Sequence, residues 1–232
     1  MIKLYSFGPN LNVPDPSPFV LKVNAYMRMA NIKFKNIPTV NNLRQSPKGK
    51  LPFIVDGETT VADSQFIIAY LQEKYNVELD AFLTDEQKSI AYLIGKSIDE
   101  NLYWCLLYSR WAKDDTWPVA KEAFFGAMPF PLKLFVPALI RKGVVNALDK
   151  HGMGKHSDEE IKSIAQKTFK SLSTLLGDKS YFFGEQACTF DATAFAFLSE
   201  FITTSVNNEF NSLARGHENL VNYCNRVKAK YY

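Results

Sequence analysis

The sequence predicts an α/β domain followed by an all-helical one. Strand, helix, strand, hairpin and helix succeed one another over residues 1–75, and no convincing strand occurs beyond residue 84. At 232 residues and 47% apolar, the chain can bury two compact cores. We therefore expect a sheet domain over 1–75, a linker over 76–83 and a helical domain over 84–232.

Ile2 to Phe7 alternates apolar and polar residues as a half-buried strand does, and Gly8-Pro9 turns it into a loop reaching Pro16. Ser17 at N-cap and Pro18 at N1 then open a helix with an apolar repeat from Phe19 to Ala30, capped by Asn31. Lys33 to Ile37 reads as a strand. Leu51 to Val55 and Thr59 to Val61 read as a hairpin around Asp56-Gly57, and Asp63-Ser64 opens a helix to Tyr75. This order is the thioredoxin-like layout, a parallel pair extended by an antiparallel hairpin. Thr84 with Gln87 is a capping box, and the next thirty residues keep an apolar face. Ser157 with Glu160 is a second capping box. Between them, the proline and phenylalanine of Trp117 to Pro137 are expected to give short helices and turns.

Composition narrows the function. Net charge is +3, with 27 Lys and Arg interleaved among 24 Asp and Glu, so no nucleic-acid surface is expected. Cys105, Cys188 and Cys224 are far apart and odd in number, which points to buried thiols in a reducing compartment. The N-terminus lacks a signal-peptide pattern, and the longest uncharged stretch, Ala123 to Leu132, is about half of the ~20 residues a spanning helix needs. A cytoplasmic protein without a transmembrane segment is expected. His151 and His156 have no Cys, Asp or Glu completing a ligand set at usual spacing, so no metal is expected.

Ser17-Pro18-Phe19, Gly49-Lys50-Leu51-Pro52 and Ala62-Asp63-Ser64 resemble, in order, spacing and context, the glutathione S-transferase superfamily, over nearly the whole chain. Ser17 to Lys22, Arg28-Met29-Ala30, Phe66-Ile67-Ile68, Tyr103-Trp104 and Gly152 to Ser157 are similar to the failed-axon-connections branch, related to the metaxins, and its bacterial homologues. The resemblance implies the glutathione S-transferase fold, glutathione as substrate or ligand, an apolar small-molecule electrophile as second partner, a detoxification role and a homodimer. The branch also contains members without a well-defined activity, so a non-catalytic binding or scaffold protein is the alternative. Cys188-Thr189-Phe190-Asp191 departs from the branch's usual Thr-Thr-x-Asp helix start and leaves a poor capping residue at N-cap.

The chemistry follows from the residues as well. A free thiol has a pKa near ~8.5, so a protein that uses glutathione must favour its anion. The Ser17 hydroxyl, at a helix N-terminus, can donate a charge-assisted hydrogen bond to it, with the helix dipole acting in the same sense; helix capping is its simpler role. Neither position 17 nor 20 is cysteine, which excludes dithiol chemistry there, and Tyr5 lies mid-strand, well before the helix. The resemblance implies a cis Pro52 that exposes the main chain of Leu51 to the cysteinyl backbone of glutathione. Asp63 and Ser64 can hold the γ-glutamyl ammonium and carboxylate at a helix start, and Lys50 the glycyl carboxylate. Tyr108 and Trp111, in an aromatic run with Tyr103 and Trp104, are the candidates for an apolar second-substrate pocket. Arg110 is the one nearby charge that could select an anionic partner, and a surface salt bridge is its expected role.

Overall fold

The computed structural model describes all residues from Met1 to Tyr232. β1 (Ile2–Ser6), α1 (Pro18–Met29), β2 (Phe34–Pro38), α2 (Asn42–Gln45), β3 (Phe53–Asp56), β4 (Thr59–Ala62) and α3 (Ser64–Tyr75) make the first layer pair. The sheet runs β2-β1-β3-β4, with β1 parallel to β2 and antiparallel to β3, and β3 antiparallel to β4. Ile2, Leu4 and Ile54 point into the core against Val20, Val23 and Met27 of α1 and Ile67 and Leu71 of α3. The thioredoxin-like layout is therefore present. Its small departures have local causes. The tight turn centres on Gly57-Glu58 rather than Asp56-Gly57, because Asp56 pairs with Thr59 and Gly57 takes φ +63°, the conformation a primed turn needs at its first central position. Gly8 ends β1 at φ +92°, where a Cβ would lie 2.6 Å from that of Pro38. The short α2 was not legible; it forms because buried Asn42 donates from Nδ2 to the carbonyls of Ser6 and Ile37, at 2.9 and 2.6 Å, tying the segment to the sheet's end.

The remaining elements are all helical: α4 (Asp85–Ser97), α5 (Tyr103–Leu107), α6 (Trp117–Phe125), α7 (Leu132–His151), α8 (Asp158–Leu176), α9 (Thr189–Ile202), α10 (Glu209–Arg215) and α11 (Glu218–Tyr231). Both expected capping boxes form, at Thr84 and Ser157. Wide π turns at Ile98–Leu102 and Tyr108–Ala112 flank α5, so the helix begun at Asp85 continues to Ala112 with its faces shifted in phase. Pro137 does not end a helix as expected; it lies buried inside the 20-residue α7, where packing of its ring outweighs the lost N–H bond. α9 is the hub, buried along almost all its length, and packs across α1 to join the two layers in one core. Its start compensates for Cys188: Asp191 accepts from the Cys188 N–H and Sγ at 2.9 and 3.2 Å, from Phe182 N–H at 3.1 Å, and from the Tyr223 hydroxyl at 3.1 Å. No helix is long and apolar enough to cross a membrane.

Candidate functional site at the sheet end

The register of the sheet gathers three of the predicted motifs. Tyr5 near the end of β1 pairs with Phe53 at the start of β3, which pairs with Ala62 at the end of β4. The segments that leave this row carry Ser17, Leu51-Pro52 and Asp63-Ser64 to one end of the sheet.

Ser17 is the N-cap of α1, half-buried, with its Oγ accepting from the Val20 N–H at 3.4 Å. That long bond uses an oxygen lone pair and leaves the hydroxyl hydrogen free to donate. The Ser17 main chain is fixed from behind by Asp15, a fully enclosed side chain that sequence reasoning missed. Asp15 accepts from the N–H groups of Phe7 and Gly8 at 2.9 and 2.8 Å and of Ser17 at 3.0 Å. The available signal was Asp15-Pro16-Ser17-Pro18, since Asp before such a turn commonly bonds the backbone two residues on. Burial pushes the Asp15 carboxyl up to about 8 against the pull of these N–H groups.

The Leu51–Pro52 bond is cis. Leu51 lies just outside β3, not within a strand as expected, and its main chain pairs with no other backbone group, whereas the Pro52 carbonyl accepts from the Asp63 N–H at 3.3 Å. The open N–H and C=O of Leu51 are what an extended peptide requires. Asp63 holds φ +87°, an uncommon value for a non-glycine residue, and caps α3 through Oδ1 to the N–H groups of Gln65 and Phe66 at 2.9 and 3.4 Å. It thus serves as a cap while its second carboxylate oxygen stays open. Ser64, the first residue of α3, is buried, and its hydroxyl engages no protein partner. Lys50 is exposed with its ammonium unpaired, while Lys48 lies 4.8 Å over the Phe66 ring, a second cation near α3 that no sequence signal marked. Through Gln65 the site adjoins a polar cleft of about 270 Å³ between α3 and α4, lined in part by the buried Lys22–Asp99 pair at 2.9 Å.

The aromatic run does not share one face, because the π turns change its phase. Tyr103 and Phe19 meet edge to face at 4.8 Å, and Trp104 stacks on His151 at 4.1 Å. Tyr108 turns toward α8 and α10, its hydroxyl bonding Asp158 at 3.1 Å and its ring meeting Phe210 at 6.0 Å. Trp111 packs with Trp117, Phe124 and Phe125, and Phe124 reaches Phe7 at 6.5 Å. Of the two pocket candidates, Trp111 is therefore linked through Phe124 to the loop preceding Ser17, and Tyr108 is tied into the helical layer. Arg110 is not a surface group. The second π turn sends it inward, 3% exposed, where its guanidinium donates to the Pro16 carbonyl at 3.2 Å and to Oε2 and the carbonyl of buried Glu200 at 2.7 and 2.8 Å. Burial pushes the Glu200 carboxyl up to about 7, with Arg110 pulling the other way.

Comparison with known proteins identifies the family. The glutathione S-transferase N-terminal domain family matches residues 18–117, and the C-terminal domain family matches 165–227. The isoprene-epoxide–glutathione S-transferase of Rhodococcus sp. (strain AD45) is 30% identical over all of this chain and 99% of its own. Failed axon connections of Drosophila melanogaster is 31% identical over all of this chain and 58% of its own. Among solved structures, the Ceriporiopsis subvermispora glutathione S-transferase in complex with glutathione shares the fold at a TM-score of 0.67, with 14% identity over 100% of this chain and 98% of that one. A thioredoxin-like sheet domain, a helical domain hung on α9 and family matches across both halves place this chain in the glutathione S-transferase superfamily, within the branch shared with failed axon connections and the metaxins.

Proposed function

We propose that this protein binds glutathione at the sheet end and transfers it to an apolar electrophile. The observation that carries the reading is the unpaired main chain of Leu51, open beside the N-termini of α1 and α3. In this reading the cysteinyl backbone pairs with Leu51, the γ-glutamyl carboxylate meets Ser64 and the amides of α3, and Asp63 accepts from the ammonium group. Lys50 takes the glycyl carboxylate. The thiol then lies toward Ser17, whose hydroxyl donates to the thiolate, lowers its pKa and orients it for attack. Pro52 shapes the loop that presents Leu51. Trp111 and its aromatic neighbours supply the apolar wall for the electrophile. Similarity to a transferase named for isoprene epoxide over the full chain supports turnover.

A second reading, a binding or scaffold protein without turnover, is favoured by the equal similarity to failed axon connections. Retention on immobilised glutathione, combined with thioether formation from a generic aromatic electrophile, separates the two. The transferase reading expects both, and retention without product selects the scaffold. A cytoplasmic, twofold dimer fits either, paired across α3 and α4, where Phe66, Tyr92 and Leu93 are exposed. A monomeric mass in light scattering at micromolar concentration removes the dimer.

A further inference from the structure

The loop before α7 and the outer face of that helix carry the longest run of free apolar side chains in the molecule. Phe130, Leu132, Leu134, Phe135 and Leu139 are 81, 51, 60, 68 and 71% exposed. Exposure this high belongs to side chains that protrude; residues walling a groove shade one another, and none of the four main clefts is lined by these five. Leu132, Phe135 and Leu139 follow at i, i+3 and i+7, one stripe of α7, which Leu134 widens. Contiguous exposed apolar surface of this kind marks an interaction site.

Charge defines what it meets. From Ala123 to Ile140 the single charge is Lys133, and across 121–150 the cations Lys121, Lys133, Arg141, Lys142 and Lys150 face two carboxylates, Glu122 and Asp149. Lys142 sits one turn beyond Leu139, and neither it nor Lys121 forms an ion pair. The nearby tryptophans, Trp111 and Trp117, are turned against each other and against Phe125. The protruding stripe therefore lacks the tyrosine, tryptophan and paired arginine anchors on which protein interfaces depend. A second copy would oppose this patch to itself about a twofold axis and bring its lysines toward lysines. An anionic bilayer meets both requirements: leucine and phenylalanine enter the acyl boundary while lysine ammonium groups stay at the phosphates.

We propose that the loop at Phe130 and the first half of α7 form a docking surface for an anionic lipid bilayer, with the helix lying in the interfacial plane. α7 is too polar to cross, so docking is peripheral. This surface lies on a different element from α3 and α4, and the proposal is independent of the glutathione reading.

The test is co-sedimentation of the purified full chain with phosphatidylcholine vesicles, with and without about one third phosphatidylglycerol. Wild type is expected to pellet with the anionic vesicles and to release as salt rises. The double substitution Phe135→Ser with Leu139→Ser should weaken binding at least about tenfold, and Lys121→Glu with Lys142→Glu should weaken it on anionic vesicles. Unfolding temperatures should stay near wild type, since all four side chains are exposed. Quenching of wild-type tryptophan emission by phosphatidylglycerol with brominated acyl chains gives a reading that needs no variant. Wild type left in the supernatant at low salt overturns the proposal. So does an apolar double variant that folds and binds vesicles undiminished. A wild-type dimer that this variant converts to monomer, with vesicles inert to both, assigns the face to a second copy instead.

Discussion

At the scale of single residues, one substitution separates the observed role of Ser17, a helix cap, from the proposed one. Its Oγ caps α1 through a 3.4 Å bond, so Ser17→Ala should lower stability by about 1 kcal/mol in chemical denaturation. If the hydroxyl also donates to the thiolate, the same change should raise the pKa of bound glutathione by about one to two, from a hydrogen bond of ~1.5–3 kcal/mol. Thiolate absorbance against pH reads this directly, and superimposable curves for the two proteins would make Tyr5 the next hydroxyl to test. Asp63→Ala should weaken glutathione about tenfold or more in calorimetry, because the ligand's ammonium loses its acceptor. Unchanged affinity with the fold intact would leave Asp63 as a cap only. Much of the candidate site could be read from the chain, since Ser17-Pro18 and Asp63-Ser64 are helix starts, which local sequence marks. Asp15 carried only a local turn signal, because its bonds to Phe7 and Gly8 come from a loop that folds back on itself, and Lys48 carried none, because it acts across a ring of α3.

At the scale of elements, local rules worked where the partners were local. The capping boxes at Thr84 and Ser157 formed as expected because both halves of each box lie within four residues. They failed where distant packing decides. Pro137 stays inside α7 because its ring is buried, and the two π turns around α5 leave no pattern a 3.6-residue period can detect. The start of α9 is the sharpest case. A weak N-cap at Cys188 is rescued by Asp191, which gathers donors from Phe182, Cys188 and Tyr223. Asp191→Ala strands those buried donors together and should cost about 3 kcal/mol or more. A shift of less than about 1 kcal/mol in the denaturation midpoint energy would show that water replaces the carboxylate.

At the scale of the whole molecule, ionisation of buried acids couples the fold to pH. Asp15 and Glu200 sit at about 8 and about 7 in the folded chain, against 3.8 and 4.5 for the free groups. The native state therefore holds more protons than the unfolded one between about pH 4 and about pH 8. Their contribution is full below this window and is lost as pH rises through it. Asp56 and Asp158, held below their ordinary value by Lys74, Lys113 and tyrosine hydroxyls, act oppositely, and only at acid pH. The unfolding temperature should thus fall from about pH 5 to about pH 8, and Glu200→Gln should flatten the slope. A slope the variant leaves untouched would mean that Arg110 keeps Glu200 ionised throughout. Order and periodicity announced two domains. The guanidinium that ties them, paired with Glu200 and donating to the Pro16 carbonyl, was legible only as two distant charges, which is why Arg110 read as a surface residue.

That guanidinium also bears on how such a chain can be recombined. Arg110 and Glu200 lie far beyond the sheet domain in sequence, yet Arg110, held by Glu200, donates to the carbonyl of Pro16, the residue directly before Ser17. A chimera joining residues 1–83 to the helical half of a distant relative would keep every residue proposed to face glutathione and still set its serine on an untethered loop. The seam visible in the chain does not divide the chemistry. Exchange of modules should preserve the seat of Ser17 only where the incoming half brings its own arginine, held by a carboxylate, to that carbonyl.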